Sequence, residues 1–208
     1  MKSAYLGIAA LAVLAQPALA QERADADFGY ETVGNPKAGL RVEGRASYET
    51  PTVDGEDLFD DDEVYKLGSA FAFGGEVGFD LAVSDNVVLG PYGNYEKSSV
   101  ESCVDGDCVR AEDSWSAGAQ IGYVTGPSGM IYGKLGYTSL TLEADIFIDG
   151  VLVTGSDSSG GFSGAVGYEH GFGPNLYGRI EGGYADVGEI FDLGWQRRYA
   201  GVALGARF

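Results

Sequence analysis

An acidic run from residue 54 to residue 63 places seven carboxylates within ten residues. Carboxylate oxygens are the ligands that Ca²⁺ and Mg²⁺ prefer in proteins. The spacing does not match an EF-hand loop, which needs a glycine and a terminal glutamate in register. A solvated acidic loop is therefore the favoured interpretation, and we assign no metal and no cofactor. The weak candidates for a metal site are Asp57, Asp60, Asp61, Asp62 and Glu63.

The chain has two cysteines, Cys103 and Cys108, with an Asp-Gly turn between them. In an oxidising compartment the only two cysteines of a chain are expected to form a disulfide. Closing so small a ring would stabilise the folded chain by roughly 2 kcal/mol on the chain-entropy model. The bond would therefore stabilise its own loop without determining the fold. The alternative is a metal-binding cysteine pair, but no histidine ligand stands nearby in the sequence.

Charged side chains recur at every second position along several stretches of the chain. Between Gly39 and Glu49, small and apolar residues alternate with Arg41, Glu43 and Arg45. Such period-two alternation sends the two sets to opposite faces of a β-strand. If the strands enclose a common interior, the bases and acids on the polar face would nearly neutralise one another there. The residues that we predict to line this interior, or lumen, are Arg41, Glu43, Arg45, Glu76, Asp80, Lys134, Glu169, Arg179, Glu181, Arg197 and Arg207.

Eight strands must position this set. Their predicted ranges are 39–49, 68–82, 86–97, 113–124, 130–141, 160–171, 175–187 and 196–208. Short turns near 84–86, 126–129 and 173–175 alternate with longer polar loops at 50–67, 98–112, 142–159 and 188–194. Alternating short and long connections are typical of membrane β-barrels, whose short turns lie in the periplasm. The 34 glycines and 13 tyrosines also favour an all-β protein.

The N-terminus has the pattern of an export signal, because Lys2 precedes an apolar run and then Ala18-Leu19-Ala20. We interpret residues 1–20 as a signal peptide, residues 21–38 as a periplasmic segment and residues 39–208 as the barrel. The apolar run is shorter than the roughly 20 residues of a membrane-spanning helix. Without the signal the formal charge is 12 − 31 = −19, which argues against nucleic acid as a partner.

Aromatic residues distinguish a membrane barrel from a soluble one, because membrane barrels carry aromatic girdles at both interfaces. Pro91 and Trp195 do not fit the scheme: the proline lacks a ladder donor, and the tryptophan has the wrong parity unless a bulge intervenes. The predicted loop-side girdle is Tyr48, Phe71, Tyr95, Trp115, Tyr137, Phe162 and Tyr184, and the periplasmic girdle is Phe79, Tyr123, Tyr168 and Phe208.

From 39 to 208 the chain resembles the small eight-stranded outer-membrane barrels, including the transmembrane domain of OmpA and stand-alone porin-family barrels of Gram-negative bacteria. The signal peptide, the alternating connections and the C-terminal aromatics carry this resemblance. It implies an all-β, eight-stranded antiparallel up-and-down transmembrane barrel in the cell outer membrane. Tyr199 and Phe208 resemble the signal that the barrel-assembly machinery reads. The chain has no domain after the barrel, so peptidoglycan binding is not implied.

The single histidine, His170, is the remaining candidate for catalysis. Barrel enzymes that modify lipid A use a histidine with a serine or carboxylate, but the Tyr-Glu-His-Gly-Phe sequence does not resemble their motifs. His170 shares the parity of Tyr168 beside a predicted periplasmic turn, where an interfacial position explains it. We expect no enzymatic activity.

The sequence therefore predicts a monomeric integral outer-membrane barrel with a structural, envelope-integrity and surface-interaction role. Its expected partners are outer-membrane lipid, lipopolysaccharide and the assembly machinery. The acidic loop could bridge to lipopolysaccharide phosphates through divalent cations. A hairpin at residues 146–153 could either stiffen its loop or add a strand in adhesion. The alternative function is a narrow porin-like channel for ions or small solutes.

Overall fold

A computed structural model describes residues 35–54, 64–104, 106–148 and 151–208 of the chain. No helix within these residues is long and apolar enough to cross a membrane. The predicted signal peptide and most of the predicted periplasmic segment lie outside the described residues. The same is true of the candidate metal ligands Asp57, Asp60, Asp61, Asp62 and Glu63.

The described residues form ten β-strands, eight of them long and two short. Each long strand alternates side chains between two faces, as the period-two pattern of the sequence predicts. In chain order the strands are β1 (Gly39–Asp54), β2 (Val64–Lys66), β3 (Ala70–Ser84), β4 (Val87–Ser98), β5 (Glu101–Val104), β6 (Asp107–Val124), β7 (Gly129–Ile148), β8 (Val151–Gly171), β9 (Leu176–Ile190) and β10 (Leu193–Arg207).

The first and last long strands close the sheet on itself. β1 pairs with β3 on one side and with β10 on the other, from Arg41↔Arg207 to Val53↔Trp195. Every other long strand pairs antiparallel with the long strands before and after it. The short strands β2 and β5 pair with β1 and β6 at the loop side. The predicted eight-stranded up-and-down architecture is confirmed.

Parts of the predicted loops are strand extensions. The β7–β8 ladder continues from Gly129↔His170 to Ile148↔Val151, well beyond the roughly 9–11 residues that cross a membrane. The loop predicted at 188–194 is instead a tight hairpin, in which Phe191 and Asp192 have φ of 55° and 62°. Positive φ at both central residues is the geometry of a type I′ turn, whose twist matches that of the strands.

The structure explains the two residues that did not fit the sequence pattern. Trp195 keeps the parity of Arg197 and faces inward, where it is buried. The irregular register lies on β9, which contributes an additional residue between Asp186↔Gln196 and Gly188↔Trp195. Pro91 lies in a gap of the β3–β4 ladder, which passes from Gly78↔Tyr92 to Leu81↔Leu89. Its missing N–H therefore falls where the ladder is already interrupted.

The outer face of the ring is apolar and exposed. Cross-strand neighbours Tyr48 and Phe71 have ring centroids 5.3 Å apart, and those of Trp115 and Tyr137 are 6.0 Å apart. Apolar side chains on the outside of a closed β-ring are expected in lipid rather than in water. All eleven predicted girdle residues are exposed: Tyr48, Phe71, Phe79, Tyr95, Trp115, Tyr123, Tyr137, Phe162, Tyr168, Tyr184 and Phe208.

The interior has two zones of different chemistry. The larger zone, which we call the lumen, runs from the short-turn end through the middle of the ring, and most of its buried side chains are polar or charged. At the loop-side end the inward residues are apolar and form a cluster that we call the cap. Its buried members are Val53, Val100, Ala111, Leu140, Leu142, Ala185, Val187, Ile190 and Trp195.

A charge on the outer face tests its exposure to lipid. Leu135 is 76% exposed and lies on β7 between the two aromatic girdles, whereas Val104 is 70% exposed on the short loop-side strand β5. We expect Leu135→Arg to lower the free energy of unfolding in lipid vesicles by about 2–4 kcal/mol, the cost of arginine near the bilayer midplane. The matched variant Val104→Arg should change it by less than about 0.5 kcal/mol. Equal effects in a guanidinium titration would contradict this membrane position.

Candidate functional site

The lumen contains equal numbers of buried acidic and basic side chains. Their strands bring them together because inward positions on neighbouring strands lie side by side in the register. Among the described residues, seven bases and seven acids are buried. They are Lys37, Arg41, Arg45, Lys134, Arg179, Arg197 and Arg207 with Glu43, Glu49, Glu76, Asp80, Glu96, Glu169 and Glu181.

Glu76 is the centre of the network. Its carboxylate oxygens lie 2.5 Å from Arg41 Nη1, 2.9 Å from Arg45 Nη1 and 2.7 Å from Lys134 Nζ. The Glu76 side chain is only 1% exposed. Because one carboxylate contacts three cations, its single negative charge is shared between side chains of β1 and β7.

Glu181 forms the second centre at the same level. It lies 2.8 Å from Arg45 Nη2 and 2.7 Å from Lys134 Nζ. The hydroxyls of Tyr132 and Tyr199 each donate to it at 3.0 Å. These phenols supply hydrogen bonds that a buried carboxylate requires once it has left water.

The periplasmic end of the lumen is organised by Glu169 and Asp80. Glu169 lies 2.7 Å from Arg179 Nη2, 3.0 Å from Arg207 Nη2 and 3.1 Å from Lys37 Nζ. Asp80 Oδ2 lies 2.7 Å from Arg207 Nη1 and 3.2 Å from Arg41 Nε. Lys37 precedes β1 and also donates to the Ser128 carbonyl at 2.9 Å. The start of the barrel chain thus covers this end of the lumen.

Arg197 occupies the loop-side end of the lumen, just below the cap. It forms ion pairs with Glu49 and with Glu96, the latter at 3.1 Å. Ser47 Oγ also donates to Glu96, at 3.1 Å. The Arg197 guanidinium lies 5.1 Å from the centre of the Tyr199 ring.

Aromatic rings line the lumen between the charges. Arg179 lies 4.5 Å from the centre of the Tyr132 ring and 5.2 Å from that of Tyr177. Lys134 lies 5.0 Å from the centre of the Tyr92 ring. Cation–π contacts of this kind are stabilising, most of all where the cation has lost its water.

Very little space remains between the side chains in the middle of the lumen. A cavity between Tyr92, Lys134 and Arg197 has a volume of about 10 Å³, which is room for about one water molecule. Above Arg197 the cap fills the interior with apolar side chains. The described lumen is therefore closed by ion pairs in its middle and by the cap above.

The structure places all eleven predicted lumen residues in this interior. The sequence interpretation missed Lys37, Glu49 and Glu96. Glu49 shares the parity of Arg45, which was an available signal, and Glu96 lies on the strand with the weakest alternation. Lys37 precedes the first strand, so no alternation could indicate it. The predicted set was incomplete for these reasons.

The two residues of the predicted assembly signal occupy different faces. Tyr199 faces the lumen and donates to Glu181. Phe208 is 68% exposed on the outer face, and its backbone exchanges hydrogen bonds of 2.8 Å and 3.0 Å with Leu40. Their role in assembly stays a prediction.

The predicted disulfide between Cys103 and Cys108 is present in the β5–β6 hairpin. Glu101 lies near both sulfur atoms, but a disulfide offers no thiolate to a metal. His170 is exposed at the short-turn end, with its ring 6.4 Å from that of Tyr168 and 5.5 Å from that of Phe172. An aromatic interfacial environment therefore surrounds it.

Neutralising the central carboxylate tests the network. We expect Glu76→Gln to lower the free energy of unfolding by about 3 kcal/mol, because Arg41, Arg45 and Lys134 lose a shared counter-charge in a buried site. Glu189→Gln is the control, since Glu189 is exposed and forms no ion pair with a described residue; it should change stability by less than about 0.5 kcal/mol. Guanidinium unfolding in vesicles measures both, and similar losses would contradict the network's importance.

Comparison with known proteins agrees with this architecture. Over residues 6–208 the chain matches the family model described as an outer membrane protein β-barrel domain. No curated protein is similar to the chain at a significant level. The matched range covers nearly all of the chain, including every strand of the barrel.

Several solved structures are similar to the chain. Ail of Yersinia pestis, in complex with the heparin analogue sucrose octasulfate, has a TM-score of 0.54 at 14% identity, covering 81% of this chain and 99% of Ail. Neisserial surface protein A has a TM-score of 0.48 at 17% identity, covering 82% and 98%. The N-terminal barrel of Pseudomonas aeruginosa OprF has a TM-score of 0.46 at 17% identity, covering 83% and 100%. The chain belongs to the outer-membrane β-barrel protein family and is located in the cell outer membrane.

Proposed function

We propose that the protein is a non-conducting, non-enzymatic barrel that supports envelope integrity and presents its loops at the cell surface. The observation that carries this proposal is the closed, electrically neutral lumen, with seven buried bases against seven buried acids among the described residues. An eight-stranded barrel has an interior just wide enough for side chains. Here those side chains are bound to one another rather than to solvent.

The competing function is a narrow channel, opened when the pairs around Arg45, Glu76, Lys134 and Arg179 rearrange. Opening would separate Glu76 from cations at 2.5–2.9 Å. Breaking a buried pair without a new partner costs about 3–5 kcal/mol. A solute would also have to pass the apolar cap. Both obstacles favour the non-conducting function.

The proposal of no enzymatic activity is supported by the surroundings of the one histidine. His170 stands between two aromatic rings on the outer face at the short-turn end. A histidine that acts as a general base needs a hydrogen-bonded nucleophile or carboxylate. Catalysis through His170 would therefore require partners that its two ring contacts do not provide.

The surface role follows from the charge of the loop-side segments. Residues 54–67, 99–113, 141–160 and 186–195 together contain 19 acidic and two basic residues. Ail was solved with a sulfated heparin analogue, but a strongly acidic surface repels such polyanions. We therefore propose cationic partners for these loops, including divalent cations that bridge to lipopolysaccharide phosphates.

The remaining partners follow from the barrel itself. We propose that its outer face contacts outer-membrane lipid and that the assembly machinery inserts it, with the exposed Phe208 as a recognised residue. We propose a monomer, because each long strand pairs on both sides within one chain and the described ring offers no free edge in the membrane.

Conductance in planar bilayers separates the two functions. We expect the refolded protein to show no discrete current steps, because the ion pairs and the cap close the lumen. Insertion is checked independently by heat-modifiable gel migration. Discrete steps in the wild type whose size changes in Glu76→Ala would establish the channel and overturn the proposal.

Retention on charged supports tests the surface role. The refolded protein should pass through a heparin column at physiological salt and bind an immobilised polylysine surface, with binding that weakens as salt screens the charges. Retention on heparin would contradict the proposal of cationic partners.

A further inference from the structure

A cavity of about 540 Å³ lies at the loop-side end of the barrel, next to the cap. Its walls come from every loop-side hairpin: β1 with β2, β5 with β6, β7 with β8, and β9 with β10. Its volume lies within the 300–1,000 Å³ typical of small-molecule sites. The cavity is separate from the ion-pair network, so a ligand could occupy it whether or not the lumen conducts.

Most of the cavity wall is apolar although it lies outside the aromatic girdle. Ile146, Val153 and Phe191 are 44%, 46% and 39% exposed, and Trp195 with Val53 closes the inner side. Exposed apolar side chains at the water-facing end of a barrel cost free energy unless something covers them. An aliphatic chain is the simplest group that would remove this surface from water.

The charge of the wall differs from that of the surrounding loops. None of the 13 lining residues that the structure describes is acidic, and Lys66 is the single charged residue among them. The loop-side segments that supply this wall are strongly acidic. Lys66 is exposed, and no carboxylate of the described residues forms an ion pair with it. Ser102 adds a hydroxyl to the same wall. An anionic head group therefore has a positively charged partner at the wall of this cavity.

We propose that this cavity binds a medium-chain monocarboxylate, with its aliphatic tail against Trp195, Phe191 and Ile146 and its carboxylate on Lys66. Apolar walls with one positioned charge are the usual composition of a site for an amphipathic small molecule. The Trp195 indole N–H already donates to the Ile190 carbonyl at 3.1 Å, so the ring offers the ligand only its apolar surface.

The two tryptophans allow a direct measurement. Trp195 lines the cavity, whereas Trp115 belongs to the lipid-facing girdle and is 46% exposed. In Trp115→Phe the only tryptophan reports on the cavity, and in Trp195→Phe the only one reports on the bilayer. A bromine-labelled undecanoate quenches a nearby indole. It is titrated into the full chain refolded in lipid nanodiscs.

We expect saturable quenching of Trp195 at concentrations where Trp115 shows only a gradual, non-saturating decrease. Adding Lys66→Gln should weaken the apparent affinity about fivefold, as for an exposed ion pair. The brominated alcohol of the same length lacks the negative charge. It should therefore bind both the protein with Lys66 and the Lys66→Gln variant as weakly as the carboxylate binds Lys66→Gln.

A larger side chain introduced into the cavity provides the second test. A Cβ on Gly155, which lines the cavity, would meet no atom within 4 Å, and the same holds for Gly126 in a periplasmic turn. Gly155→Leu should weaken saturable quenching in the Trp115→Phe background, whereas the control Gly126→Leu should leave it unchanged. Heat-modifiable migration confirms folding of both variants.

Two results would overturn the proposal. Equal quenching curves for the two single-tryptophan proteins, unchanged by Gly155→Leu, would mean that the probe only partitions into the bilayer. Equal affinity for the alcohol and the carboxylate, unchanged by Lys66→Gln, would exclude an anionic ligand.

Discussion

Glu76 lies within 3 Å of nitrogen atoms of Arg41, Arg45 and Lys134 in the middle of a sealed β-ring. A buried charge is tolerated only when it is paired and hydrogen-bonded. Each inward charge of the barrel therefore depends on partners from other strands, and the balance of seven bases and seven acids among the described residues expresses this dependence. The register of the strands, the aromatic rings in the lumen and the position of Lys37 all serve that pairing.

The same alternation connects the lumen to the location of the protein. Charges at every second position keep each strand from forming the apolar run of about 20 residues that would act as a membrane helix. Once the ring closes, the charges face one another and the apolar set faces lipid. A closed lumen leaves the loop-side end as the part available to the outside. There the wall combines an acidic rim with an apolar cap and cavity.

Much of the architecture could be predicted from the sequence. One alternating pattern indicates where a strand runs, which face each side chain occupies and which side chains are buried. It predicted the eight strands, the exposed girdles and the inward charges, and the two cysteines predicted the disulfide.

The pattern failed where local geometry breaks it: the positive φ at Phe191 and Asp192 turned an expected loop into a hairpin. Trp195 was difficult because the additional residue is on the paired strand β9, which the sequence of β10 cannot show. The loop side was also underestimated, because segments rich in Asp, Ser and Gly look like loops. Leu140, Leu142 and Ala144 nevertheless continue the inward alternation of β7 into the segment predicted as a polar loop.

The most direct test is whether charge balance in the lumen, rather than any single contact, maintains stability. Guanidinium unfolding in vesicles should be compared for Glu76→Gln, for Lys134→Met and for the double variant, which restores equal numbers of buried acids and bases. If charge balance governs stability, the double variant will be more stable than Glu76→Gln alone by at least about 1 kcal/mol, a clear departure from additivity for residues in contact. If the losses of unfolding free energy in the two single variants add up to that of the double variant, charge balance does not govern the stability of the lumen.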